Sequence, residues 1–268
     1  MPRQIIRTFG LDKDTVAFAQ RVKAGSGTTI LPNNLIQLNK FVVGIKRMGL
    51  WNQMVCWPMR SIHNAGRGST VYSLGGLGIF NGTMVNSPSW ENIGIKFIIP
   101  NRQYIDVTPI TQTFNINTTS ILAARSDIAA FVVPRLIGTA FFPASELTLW
   151  MDTGTNNTYG LQTWSTSVYS EVYFINRQNI GNMQTFGVTF DYNASIVKYL
   201  FNNTILQASR TSHNAFPALH IAGGQQPNDH WNGHISYCIR FYSTLTDNIF
   251  INVKNLAART IGTGLNLI

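Results

Sequence analysis

Two patterns of apolar positions divide the chain. Over residues 11–23, Val16, Phe18, Ala19 and Val22 recur at helical spacing, Asp12 stands where an N-cap belongs, and Gly25 offers a stop. Leu31-Pro32-Asn33 then opens a second helix in which Leu35, Leu38, Val42 and Ile45 form one stripe, closed by Gly49. Leu50-Trp51 is expected to pack this pair onto the next segment of chain. From about residue 53 the period changes to two. The best alternating runs are 168–174, 188–192, 196–201 and 235–242. In the last, Ile235, Tyr237, Ile239 and Phe241 are expected on one face and Ser236, Cys238 and Arg240 on the other. Asn81-Gly82, Asn202-Asn203 and Asn232-Gly233 supply the residues that tight hairpins need. Many short strands at this spacing predict a sandwich. An amphipathic stretch over 245–256, starting near Thr246 or Asp247, predicts a short closing helix.

Composition sharpens this picture. The 268 residues are 44% hydrophobic, enough for a sizeable core, while only 12% are charged, about half the usual share. Disorder is excluded. Cys56 and Cys238 lie far apart with no C-x-x-C pairing, so a disulfide framework is not expected. No run of 18 apolar residues occurs, and MPRQIIRTFG lacks the apolar stretch of a secretory leader, so a soluble chain made without a signal is expected.

The net charge of +9 is unevenly placed. Residues 1–60 hold nine Lys or Arg against Asp12 and Asp14, whereas the remainder holds eleven against nine acids. The first segment is thus a basic helical piece whose Arg3, Arg7, Arg21, Lys23, Lys40, Lys46 and Arg47 are candidates for anchoring on an acidic partner, with nucleic acid as the weaker option.

Several segments resemble the laminin-G-like branch of the concanavalin A-like lectin/glucanase superfamily. They are residues 80–90 (FNGTMVNSPSW), Gly94-Ile95-Lys96-Phe97 with Gln103-Tyr104-Ile105-Asp106-Val107, residues 186–192 with 196–203, and Leu219-His220-Ile221-Ala222-Gly223-Gly224 with Trp231-Asn232-Gly233-His234-Ile235. The resemblance spans about residues 78–257. It implies a mainly β fold, a jelly-roll sandwich of two antiparallel sheets over residues 61–268 with a short C-terminal helix, preceded by the helical segment 1–60. Residues 11–51 also resemble the lead-in of tailed-phage and prophage proteins that carry such a domain, which implies a virion component assembled in the host cytoplasm, with other virion proteins as partners and homo-oligomers expected.

Catalysis finds little support in the motifs. Glucanases of this superfamily carry their carboxylates on one strand as Glu-x-Asp-x-x-Glu, and here Glu171-Val172-Tyr173 puts tyrosine in the middle acid's place. Glu146 and Asp152 lie roughly 20 Å apart along a strand. His230 and His234 have the spacing of a helical metal pair, but Gly233 argues against a helix. Gly75-Gly76-Leu77-Gly78 precedes a strand and so is not a phosphate loop. No cofactor is expected. Calcium would find oxygen ligands over 152–157, though few acids. Sugar sites combine aromatic faces with amides and carboxylates. Alternation puts Tyr169, Glu171 and Tyr173 on one strand face and Thr148, Trp150 and Asp152 on another, with Trp164, Asp229, His230 and Trp231 beside them on loops. The expectation is therefore a virion structural protein, whether capsid decoration, fibre or tail-associated, displaying a lectin-like domain to host or environmental glycans. A laminarinase-like glycoside hydrolase is the enzymatic alternative, and a jelly-roll shell protein contacting nucleic acid is the other.

Overall fold

The computed structural model describes residues 10–107, 117–127, 135–138, 146–152, 158–164, 169–175, 181–191, 193–209, 220–223 and 230–267. The chain opens with helices α1 (Lys13–Ser26) and α2 (Pro32–Arg47) and ends with α3 (Asp247–Arg259). Between them the described residues form sixteen strands. In order they are β1 (Met54–Pro58), β2 (Thr70–Val71), β3 (Gly82–Val85), β4 (Ser89–Trp90), β5 (Ile95–Phe97), β6 (Tyr104–Asp106), β7 (Thr118–Ser126), β8 (Arg135–Gly138), β9 (Glu146–Asp152), β10 (Thr158–Trp164), β11 (Tyr169–Ile175), β12 (Gln184–Asp191), β13 (Ile196–Phe201), β14 (Thr204–Ser209), β15 (His220–Ile221) and β16 (Gly233–Phe241).

They form two antiparallel sheets. The first runs β14-β13-β12-β7-β16-β5-β4, with β1 continuing the lane of β5 along β16. The second runs β11-β10-β9-β8-β15-β6-β3-β2. Val55, Trp57, Leu122, Phe186 and Tyr199 of the first sheet meet Val71, Met84, Ile105, Leu136 and Ile221 of the second in the inter-sheet core. The mainly β, two-sheet sandwich with a small helical N-terminal segment is the architecture expected from the sequence. No described helix is long and apolar enough to cross a membrane.

The central strands β7, β12 and β16 of the first sheet are buried on both faces. Its outer residues Ile121, Ala123, Leu200, Tyr237, Ile239 and Phe241 pack against Phe18, Val22, Leu38, Phe41, Val42 and Ile45 of the opening helices and Phe250, Val253 and Ala257 of α3. Strand β1, within the first 60 residues, pairs with β16 through five residues. The Arg60 guanidinium donates to the carbonyls of Asn92, Ile261 and Thr263. Wholly buried Asn64 donates to the carbonyls of Pro58 and Tyr72 and accepts from the amides of Ala65 and Tyr72, tying the end of β1 to β2.

The caps follow the sequence with small shifts. Asp12 accepts from the Asp14 amide at 2.9 Å and starts α1, which runs past Gly25 to a left-handed C-cap at Gly27. Pro32 opens α2 and Thr246 precedes α3. Of the three expected hairpins only Asn202-Asn203 is one. It joins β13 to β14 with Asn202 at φ 51°, and its Asn203 Oδ1 accepts from the buried Lys254 Nζ of α3 at 2.7 Å. Gly82 and Gly233 instead begin strands. At Gly233 (φ 143°) a Cβ would lie 1.9 Å from the Arg125 carbonyl oxygen, so the neighbouring backbone admits only glycine. The expected alternation in β16 is also displaced. A bulge between Ile235 and Tyr237 puts Ile235 and Cys238 in the inter-sheet core and Tyr237, Ile239 and Phe241 against the helices.

Buried His63 sits where α2 meets the turn after β1, its Nε2 donating to Gln37 Oε1 at 2.7 Å. Burial, with Arg60 nearby, pushes its pKa from 6.5 down to about 3. The unfolded chain therefore binds a proton at this site between those values and the folded chain does not, so stability should fall as pH drops from about 6.5 toward 3. Thermal melts across that range should show this decline, and His63→Gln should flatten it. Phe250→Ala should cost about 3 to 5 kcal/mol in urea unfolding, because it empties the contact between α3 and Gly187 of β12.

Candidate binding face

With the helices on the first sheet, the outer face of the second is the β surface they leave uncovered. Its orientation follows from pairing, since directly opposed residues share a face. Ile105, Ile221, Ile137 and Leu149 are successive partners, and buried Ile105 and Ile221 belong to the inter-sheet core. Leu147, Leu149 and Met151 therefore stand on the inner face of β9, and Glu146, Thr148, Trp150 and Asp152 on the outer one. Exposed Thr83, opposite Asp106, shows that this outer face meets solvent at β3.

Register then assembles the rows. Trp150, Gly160 and Tyr173 stand side by side across β9, β10 and β11. One step along lie Thr148, Gln162 and Glu171, and beyond them Glu146, Trp164 and Tyr169. On the other side Asp152 neighbours Thr158 and Ile175. Arg135 of β8 is opposite Trp150. The six strand residues singled out from the sequence, Trp150, Asp152, Trp164, Tyr169, Glu171 and Tyr173, thus share one three-stranded surface. Trp164 reaches it from the end of β10 rather than from a loop.

The face continues into β15 and β6. His220 pairs with both Gly138 and Asp106, and its Nε2 is 3.8 Å from Asp106 Oδ1. The Tyr104 ring lies 4.6 Å from that of His220 and 6.0 Å from that of His230. Burial lowers the His220 pKa against the pull of Asp106, and burial with the Asp106 charge raises that of Tyr104. Tyr104, Asp106, His220, Gly160 and Gln162 were not picked out from the sequence as site residues. Alternation in Tyr104-Ile105-Asp106 marks a half-buried strand, but nothing local to it points to His220, over a hundred residues away.

Other candidates stand elsewhere. Trp231 is wholly buried in the inter-sheet core, where it fills space and offers no ring to a ligand. His230 is only 3% exposed. It does not share a site with His234, whose Nε2 meets Glu91 Oε2 at 2.9 Å and whose Nδ1 meets Asp127 Oδ2 at 3.3 Å. Asp229, Arg3, Arg7 and the oxygen-rich residues 153–157 lie outside the described residues. Among the described residues no three His, Cys, Asp or Glu form a metal-binding group. Cys56 and Cys238 are free and buried, and burial pushes the Cys238 thiol up to about 12, so neither is a ready thiolate.

The basic residues of the helices divide into two sets. Lys46 holds Asp12 at 2.7 Å and Asp14 at 2.5 Å and lies over the Trp51 ring, and Arg21 donates to the Ser73 carbonyl at 2.8 Å. These two bind the helical layer to itself and to the sandwich. Lys23, Lys40 and Arg47 are exposed, as is Lys13. Beside them an apolar groove of about 220 Å³ is lined by Val16, Ala19, Lys23, Ile30 and Leu35, next to Leu31 (65% exposed) and Ile36 (45%).

No family model matches the chain, and no curated sequence matches it. Solved structures share its fold. A mutant of Trypanosoma rangeli sialidase displaying trans-sialidase activity is 12% identical, over 85% of this chain and 40% of that one, with a TM-score of 0.59. The Trypanosoma rangeli sialidase in complex with sialic acid is 14% identical over the same shares, with a TM-score of 0.56. Domain 4 of a GH43 extracellular arabinanase from Geobacillus stearothermophilus, in complex with arabinotriose, is 13% identical over 76% of this chain and 87% of that one, with a TM-score of 0.49. At such identity the likeness is one of fold, a β-sandwich, and this chain covers 40% of the sialidase.

Proposed function

We propose that the protein is a carbohydrate-binding module, displayed on a phage or virus particle and held there by its helical layer. The observation that carries the binding half is the convergence of Trp150, Trp164, Tyr169 and Tyr173 with Thr148, Gln162 and Glu171 on one outer face. Aromatic rings stack on the apolar side of a sugar while amides and carboxylates hydrogen-bond its hydroxyls. A sialidase of like fold was solved in complex with sialic acid, which agrees with this reading.

Layering supports the display half. The helices and the candidate face lie on opposite sides of the sandwich, so a partner on the helices leaves the face pointing away from the particle. The exposed charges of α1 and α2 are positive, because Lys46 has taken up Asp12 and Asp14. An apolar groove edged by Lys23, on a helical layer that also exposes Lys13, Lys40 and Arg47, suits an acidic amphipathic segment of another virion protein.

The same face argues for binding over hydrolysis. Its nearest acids, Glu146 and Glu171, are two strands and two residues apart, about 12 Å at the backbone. A retaining glycosidase holds its carboxyl groups about 5 to 5.5 Å apart.

On a broad glycan panel the purified chain should bind, and Trp150→Ala or Tyr173→Ala should each weaken binding at least tenfold, about 1.4 kcal/mol, without lowering the melting temperature. Sugar release from β-glucans that vanishes in Glu171→Gln would instead establish the hydrolase. Purified particles should contain the protein, and Leu31→Asp combined with Lys23→Glu should release it still folded. Particles that retain this double variant at the normal level would reject the helical anchor.

A further inference from the structure

We infer that the protein holds a second ligand site, at one end of the first sheet and separate from the candidate face, and that this site takes a small uncharged N-acetylated sugar.

Five segments far apart in sequence enclose a cavity of about 380 Å³ there, near the lower end of the roughly 300 to 1,000 Å³ usual for small-molecule pockets. Arg125 comes from the end of β7, Asn182 and Gln184 from the start of β12, Asn202 from the β13–β14 turn and Asn266 from the chain after α3. Ile93, Met183 and Leu265 supply the apolar part of the lining. None of these residues belongs to the second sheet.

The walls are tied down. The Asn202 amide donates to the Thr185 carbonyl at 2.9 Å, and its Oδ1 accepts from the Thr185 amide at 3.3 Å. The chain after α3 is held by Arg60, whose Nη1 donates to the Thr263 carbonyl at 2.8 Å. The Gly181 amide donates to the Ser126 carbonyl at 2.9 Å.

The carboxamides point to a ligand. Gln184 is only 8% exposed, lines the cavity and has no hydrogen-bond partner among the described residues. A polar group so far withdrawn from water costs stability unless something bonds to it. The Asn182 and Asn266 carboxamides also have no partner among the described residues, and Asn202, with Oδ1 engaged, keeps its Nδ2 as a donor. A carboxamide donates and accepts side by side, and another amide answers both at once. Four carboxamides and a guanidinium exceed what one amide can engage, and hydroxyls around a ring engage the rest. The acetyl methyl has Ile93, Met183 and Leu265 to pack against.

Arg125 sets the charge. Its Nε donates to Asp127 Oδ1 at 2.8 Å, and its Nη2 stands 3.1 Å from Nδ1 of buried His234. The guanidinium is thus paired before any ligand arrives, and a carboxylated sugar would have to compete with Asp127 for it. Nη1 is left to donate to a neutral acceptor.

NMR titration of the full chain tests the site, using N-acetylglucosamine, N-acetylgalactosamine, glucose, galactose and N-acetylneuraminate. At least one N-acetylhexosamine is expected to bind about tenfold more tightly than its parent hexose and than N-acetylneuraminate. Gln184→Met should weaken that binding about tenfold while keeping or raising the melting temperature, because an apolar chain of like size replaces a buried amide that has no partner in the protein. Asn182→Ala, at an exposed position, should weaken it in a chain that folds normally. Tighter binding of the parent hexose or of N-acetylneuraminate, binding undiminished in both variants, or binding of neither N-acetylhexosamine would overturn the inference. Each of these results leaves the reading of the second sheet's face to its own glycan panel.

Discussion

The sheet containing β7 and β16 has to be covered twice, and the rest of the molecule depends on that demand. All nine residues of β16 are buried, and eight of the nine in β7. Such strands cannot face water on either side without exposing several large apolar residues, each worth about 1.5 to 3 kcal/mol when buried. One cover is the second sheet, through Leu122, Ile235 and Cys238. The other is the helical layer, through Ile121, Tyr237, Ile239 and Phe241. The helices at the two ends of the sequence are thus parts of one hydrophobic assembly, whatever partner the outer surface of the layer meets.

The helices are committed to that sheet, so among the described residues no helix covers the outer face of the second, and the chemistry of its residues differs accordingly. The inner positions of β9, β10 and β11 are Leu147, Leu149 and Met151, then Tyr159, Leu161 and Thr163, then Ser170, Val172 and Phe174, mostly apolar, whereas the outer ones mix aromatics, amides and acids. A sheet covered on one side only needs one apolar face. The other is free to carry a binding surface without disturbing the core.

This difference explains what was legible in the sequence. Helices α1, α2 and α3 announce themselves because each has one apolar stripe and a recognisable start at Asp12, Pro32 or Asp247. Strands of the second sheet alternate cleanly, so the shared faces of Tyr169, Glu171 and Tyr173, and of Thr148, Trp150 and Asp152, can be read locally. Their alignment cannot, because it depends on register between strands joined by turns whose length says little. In β16 the alternation runs across a bulge at Ser236, which swaps the faces of the residues beyond it, and burial on both faces leaves no exposed polar side to reveal the shift. Trp231 misleads for a related reason: its flanks Asp229-His230 and Asn232-Gly233 are those of a surface turn, yet the ring is needed to fill the core where the two sheets meet.

Charge shows the same separation of tasks. A total of +9 suggests a uniformly basic surface, but the individual groups do unlike things. Lys46 and Arg21 are structural, the first neutralising Asp12 and Asp14 at the start of α1 and the second bonding to a carbonyl of the sandwich. Lys254 is buried and directs its ammonium to the Asn203 turn, where burial lowers its pKa. Solvent therefore meets unbalanced positive charge on α1 and α2, while the outer rows of the second sheet carry Glu146, Asp152 and Glu171 in the opposite sense. The exposed cations of α1 and α2 and the acids of β9 and β11 belong to different layers of the sandwich. Each side meets a different chemistry, which is the physical condition for holding one partner while presenting a surface to another.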